Sequence, residues 1–259
     1  MRLRTLLMAL AYLASGSVVL AEDAKESPRT GYFYSETTPL ELLGPEGARA
    51  LAEVFAEDEE LKWSLYVPES YSADNPPGVM VFISPSSRWG GSSKSYNPLL
   101  EEKNLIWAGL IKAGDKTPMN TRMMRALLTP TFLAQDYALD PSRIYLGGFT
   151  GGAHVATMLA TSKPNLFRGA MFVGGAITWK DKLPPGIEQI RQNRYVYVAG
   201  SNDVALTVVK RSAAAFKEAG IENTRVIVMP NERQEMPGPY HLREAIEYLD
   251  NTSGSAADE

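Results

Sequence analysis

The chain has 259 residues, 44% of them hydrophobic and 22% charged, with a net charge of −4 and no cysteine. That length and composition suffice for one sizeable core and do not force a second domain. Without cysteine there is no disulfide framework and no lipid attachment at a lipobox thiol, and the scattered basic residues argue against a nucleic-acid partner.

The first residues, "MRLRTLLMALAYLASGSVVLA", join basic Arg2 and Arg4 to an apolar centre and end in Val19-Leu20-Ala21 before acidic Glu22 and Asp23. This pattern predicts a cleaved export signal over 1–21, directing the chain to the periplasm or the medium. Ser15, Gly16 and Ser17 interrupt the apolar run, which argues against a permanent membrane anchor. Removing the signal leaves 24 basic against 30 acidic residues, a net charge of −6.

Residues 22–60 read as an N-terminal extension with one helix. The Ser-, Thr-, Pro- and Gly-rich stretch 22–44 is expected to be extended. A helix is expected over 45–60, where Pro45 suits the first turn and Ala48, Leu51, Ala52 and Phe55 share a face. The acidic "EDEE" at 57–60 lies at the wrong end for the helix dipole and marks the helix ending in solvent.

From 61 to 250 strand and helix signals alternate. "KWSLYVP" (62–68) reads as a half-buried strand, while "GVMVFIS" (78–84) is a continuous apolar run suited to a strand covered on both faces. "NLIWAGLIKAG" (104–114) follows, and Thr117-Pro118 then forms an N-cap and first-turn pair for a helix that Pro130 must kink or end. "DPSRIYLGGF" brings a turn and a strand, "GGAHVATMLATSK" a helix, and "FRGAMFVGGA" a strand. "RYVYVAGSND" (194–203), a helix to about Gly220, "TRVIVMP" (224–230) and a last helix near 239–250 complete the order. The tail 251–259 is small and polar and is expected to be disordered. Such alternation predicts an α/β domain with a mostly parallel central sheet, helices on both faces, and a site at the carboxyl ends of the strands.

The stretch "DPSRIYLGGFTGGAHVATMLA", followed by "FRGAMFVGGA" and "VYVAGSND", resembles the α/β-hydrolase superfamily. It is similar in particular to exported esterases related to polyhydroxybutyrate depolymerases and feruloyl esterases. In those an Asp-Pro-x-Arg-Ile-Tyr lead-in runs into a Gly-x-Ser-x-Gly-Gly nucleophile elbow. The likeness extends from about Trp63 to Asp250. It implies a Ser, Asp, His triad in chain order, in which serine attacks an ester carbonyl, histidine moves its proton and the acid holds the imidazole. Carried over residue by residue, the nucleophile position is Thr150 and the acid position is Asp203. The histidine position, in a stretch like "GHEMP", is Gln234 of Arg233-Gln234-Glu235-Met236-Pro237.

These departures have unequal chemical weight. Threonine keeps a hydroxyl but adds a methyl where the elbow strains the backbone. An amide cannot accept and return a proton near neutral pH, so Gln234 leaves the hydroxyl without a general base. His154, one helical turn after Thr150, reads as an ordinary helix histidine. His241, near the start of the last helix, reaches the site only if "EMPGPY" loops back, and is otherwise a surface residue. The resemblance places one oxyanion donor at Gly151. The other would come from the loop Ser84-Pro85-Ser86-Ser87-Arg88-Trp89-Gly90-Gly91, where Ser86, Ser87 or Gly91 can supply an N–H and Pro85 cannot.

Of Trp89, Tyr96, Trp107 and Trp179, which fall near strand ends, Trp179 is the best candidate for a pocket wall, although buried aromatics are usually core. Arg88 is read as a solvated loop residue, and Arg122 and Arg125 are expected to pair with acids such as Asp136. No spacing suggests a metal site, and no Gly-rich loop fits a dinucleotide or P-loop frame, so no cofactor is expected. The reading favoured is an exported pseudo-esterase that binds a small ester-like or sugar-like ligand, or a partner. The alternative is an active carboxylic-ester hydrolase using Thr150 and Asp203 with a recruited His241 or His154.

Overall fold

The computed structural model describes residues 28–179 and 182–251. The export signal expected at 1–21 and all but the first residue of the tail expected at 251–259 lie outside them. Eight strands form one sheet in the order β1-β2-β4-β3-β5-β6-β7-β8. They are β1 (Gly31–Thr37), β2 (Leu61–Val67), β3 (Gly78–Ile83), β4 (Leu105–Ile111), β5 (Ile144–Phe149), β6 (Gly169–Val173), β7 (Arg194–Gly200) and β8 (Thr224–Met229). β2 runs antiparallel to β1 and β4, and every pairing from β4 to β8 is parallel. This is the α/β-hydrolase fold.

Among the described residues seven α-helices connect and cover the sheet: α1 (Pro39–Ala50), α2 (Asn97–Glu102), α3 (Met119–Leu133), α4 (Gly151–Ser162), α5 (Ile187–Gln192), α6 (Leu206–Glu218) and α7 (Pro239–Asp250). The alternation of β3 explains the two-sided core. Val79, Val81 and Ile83 join Leu127 of α3, Val155 of α4 and Phe216 of α6. Met80 and Phe82 join Leu100 of α2 and Leu242 and Ile246 of α7. A strand buried on both faces needs apolar side chains at every position, which is why 78–83 shows no polar alternation. Burying one such Val or Leu contributes about 1.5–3 kcal/mol.

The N-terminal region differs from the sequence expectation in two ways. Residues 31–37 form an edge strand, registered from Gly31 against Val67 to Thr37 against Leu61. With one face turned outward and only Phe33 buried, "GYFYSET" carries almost no apolar alternation. The helix spans Pro39–Ala50 rather than 45–60, and a Thr38–Glu41 capping box begins it. Pro45 does open a helical stretch, but after a kink at Gly44 (φ 69°, ψ 178°), and the chain leaves the helix before Phe55. Ala48, Leu51 and Phe55 are buried but Ala52 is exposed, so three of the four residues of the expected apolar face point inward although its helical form stops before Phe55.

Two smaller corrections concern α3. Thr117 does not cap it; its hydroxyl donates to Lys112 O at 3.2 Å, and Pro118 holds the N-cap position without a side-chain cap. Pro130 does not end it, and the helix runs on to Leu133. Among the described residues no helix is long and apolar enough to cross a membrane.

Candidate active site

The parallel strands all end on one edge of the sheet, and the loops after β3, β4, β5, β6, β7 and β8 meet there. Thr150 sits between β5 and α4 with φ 49° and ψ −113°, a conformation that costs a β-branched residue on the order of 1–3 kcal/mol. Its N–H donates to Val173 O at 2.8 Å, and its carbonyl accepts from Ala153 N at 3.0 Å. The flanking glycines make room for this turn. A Cβ at Gly148 would stand 2.4 Å from Gly152 O, and one at Gly152 would stand 1.8 Å from Ile83 O. The G-x-T-x-G spacing is therefore a steric requirement of strand, turn and helix packing.

Asp203 follows β7 and is 7% exposed. Its Oδ1 accepts from Ala205 N at 2.7 Å, while Oδ2 is buried and, among the described residues, has no hydrogen-bond partner. The loop after β8 is stitched to the end of β7 by Asn202 N donating to Glu232 O (2.8 Å) and Asn231 N donating to Ser201 Oγ (2.8 Å). Glu232 O and Arg233 O lie so close to Gly200 that a Cβ there would stand 2.2 and 2.3 Å from them. This contact delivers Gln234 to Gly174. A Cβ at Gly174 would meet Asp203 Oδ2 at 3.3 Å and Gln234 Cγ at 3.4 Å. Gln234 Nε2 donates to Gly174 O at a marginal 3.5 Å.

The histidines stand apart from this arrangement. His154 is exposed on α4, with Nε2 3.3 Å from where a Cβ of Gly175 would be, beside Thr150 O. His241, on the first turn of α7, is half-buried with its ring edge-on to Tyr240 at 5.1 Å. Among the described residues neither ring hydrogen-bonds Thr150 Oγ1.

In the loop after β3, Ser86 N donates to Ser84 Oγ at 3.0 Å, so that N–H is already engaged. Ser87 is exposed; its hydroxyl accepts from Gly114 N at 3.2 Å and its carbonyl accepts from Lys112 N at 2.8 Å. Gly151, the other oxyanion candidate, has the Asp115 carboxylate against its Cα: a Cβ there would stand 2.2 Å from Oδ1 and 2.7 Å from Oδ2. Nothing in the motif signals Asp115. The general rule that sites gather at strand ends was the one available signal, because Asp115 lies just past β4.

Arg122 and Arg125 pair with Asp115 (3.1 Å) and Glu59 (2.7 Å), not with Asp136. Both are buried, and Arg122 also donates to Ser84 O at 3.2 Å, which ties the oxyanion loop to Asp115. Burial pulls the Arg122 guanidinium below its ordinary pKa, and Asp115 acts against that shift. Arg88 is exposed. Trp179 stacks on Phe216 at 5.0 Å, packed against the core. Tyr96 and Trp107 are buried, their polar tips donating to Pro237 O (2.6 Å) and Gly90 O (2.9 Å), and burial pushes the Tyr96 hydroxyl up to about 12. Trp89 is 38% exposed and donates to Ser92 O.

The strand order and the helices that connect the strands are those of the α/β-hydrolase fold. No protein-family model matches the sequence, and no curated protein matches it. Solved structures do. An S-formylglutathione hydrolase from Staphylococcus aureus matches with a TM-score of 0.60 at 11% identity, over 88% of this chain and 99% of that one. A feruloyl esterase module from Clostridium thermocellum, solved with sinapinate, matches with a TM-score of 0.58 at 13% identity, over 94% of this chain and 98% of that one. A thermostable esterase matches with a TM-score of 0.58 at 16% identity; 84% of this chain is covered but only 62% of that chain.

Proposed function

We propose that this chain is an exported α/β-hydrolase-fold protein of the esterase and depolymerase type that binds a small ester-like or sugar-like ligand at the elbow without efficient hydrolysis. The observation that carries this reading is the side chain beside Asp203: a glutamine, whose amide can take no proton from Thr150. Supporting it are the engaged N–H of Ser86 and the Asp115 carboxylate beside Gly151, both unfavourable to a developing oxyanion. Export rests on the pattern of residues 1–21.

A second reading keeps ester hydrolysis, with Thr150 as nucleophile and a recruited histidine. The placement of His154 near Gly175 and the Thr150 carbonyl favours it over His241. The names of the structural neighbours also lean this way. Hydrolysis of short-chain p-nitrophenyl esters by the purified mature chain, with Thr150→Ala beside it, decides between the two. Equal, background-level turnover in both proteins is expected. Turnover that disappears in Thr150→Ala would overturn the proposal and make His154→Ala the next variant.

A further inference from the structure

The elbow has a carboxylate on each flank. On one side Thr150 N is bonded to Val173 O, and the next residue, Gly174, carries Asp203 Oδ2 and Gln234 Cγ against it. On the other side Gly151 carries the Asp115 carboxylate. Asp203 Oδ2 is enclosed in a residue 7% exposed and has no hydrogen-bond partner among the described residues. A buried carboxyl oxygen left unbonded costs free energy that an N–H donor would recover, more so if the donor is charged.

Among the described residues no side chain gives that donor. Gln234 Nε2 turns instead to Gly174 O at 3.5 Å, and the glutamine is exposed. Arg122 answers Asp115 through Oδ1 from beneath, and the Asp115 side chain remains 53% exposed.

We infer that the elbow edge is a cation-selective binding site: Asp203 Oδ2 accepts from a ligand's ammonium or guanidinium N–H, Gln234 swings aside to admit it, and Asp115 adds a favourable field from the opposite flank. The ligand class is a small organic molecule with a protonated nitrogen. This inference rests on the non-hydrolytic reading above and narrows its ligand. Asp115 stands beside Gly151, where an ester's oxyanion would form, so its charge disfavours acyl transfer and favours cations.

The test uses three molecules of similar size: n-butylammonium, n-butanol and butyrate, titrated into the mature protein with backbone amide shifts followed by NMR. Butylammonium should shift the amides of Gly151, Gly174 and Gln234, and the other two should not. Asp203→Asn should weaken that binding about tenfold or more, as expected for losing a charge-assisted hydrogen bond. Asp115→Asn, with its fold checked by the dispersion of the amide spectrum because it removes the partner of buried Arg122, should weaken it by a smaller factor. Butyrate binding at these amides while butylammonium does not would overturn the inference and leave the pseudo-esterase reading standing. Butylammonium binding unchanged in both a folded Asp203→Asn protein and Asp115→Asn would overturn it as well. Thr150-dependent ester turnover overturns the underlying reading whichever molecule binds.

Discussion

Asp203 and Gln234, 31 positions apart in the chain, converge on Gly174, with Asp203 Oδ2 and Gln234 Cγ 3.3 and 3.4 Å from where its Cβ would lie. A carboxyl oxygen thus waits beside the position from which an imidazole would be oriented. The arrangement predicts that chemistry can be put back. Thr150→Ser combined with Gln234→His should raise p-nitrophenyl ester turnover roughly 100-fold over the unsubstituted chain, the lower range for a general base. Neither single variant should do so. A folded double variant with unchanged turnover would mean that Gln234 does not stand at the base position.

The elbow's strain is also measurable. At φ 49° Thr150 occupies a conformation glycine adopts freely, so Thr150→Gly should stabilise the fold by about 1 kcal/mol in urea unfolding. A loss of stability would show that the threonine side chain makes contacts worth more than its strain.

Gly152 has the opposite expectation. Its missing Cβ leaves space for Ile83 O, and the obstructing atom is main chain that cannot rotate away. Gly152→Ala should therefore cost about 3 kcal/mol or more, or prevent folding, read by thermal denaturation. A small shift would mean that α4 can slide away from β3.

An ion-pair cluster between α2 and α7 sets an acid-stability expectation. Side-chain hydrogen bonds from Arg243 are the chief cause holding the Glu102 carboxyl down at about 2, helped by Lys103. Because the folded-state value is depressed below the usual carboxylate range, its contribution is present above about pH 4.3 and is lost as pH falls toward 2. Glu102→Gln should flatten the pH dependence of unfolding in that window and leave it unchanged near neutrality. An identical acid limb in both proteins would show that the pair adds nothing to folding. The group is at the surface, so moderate salt should blunt the effect.

The central strands were legible because each is a local pattern. "GVMVFI" is apolar at every position since both faces are covered, and Leu242, Ala245, Ile246 and Leu249 mark one face of α7 by their spacing. β1 was not, because an edge strand with one outward face carries little apolar signal; exposed Tyr32 and Tyr34 mask it. The start of α1 was missed for another reason: Gly44 and Pro45 read as punctuation, whereas Thr38 and Glu41 had already begun the helix.

By itself the sequence determined the alternation of the central strands with their longer helices and the glycine spacing around Thr150. Each depends on neighbours within a few residues, where periodicity and steric need act directly. Only the tertiary structure decided that Asp115 lies against Gly151, that Arg122 binds it from below, and that Asp203 and Gln234 converge on Gly174. Those relationships join loops from different strands, brought together because parallel strands end on one edge, and no local pattern records which side chains meet there.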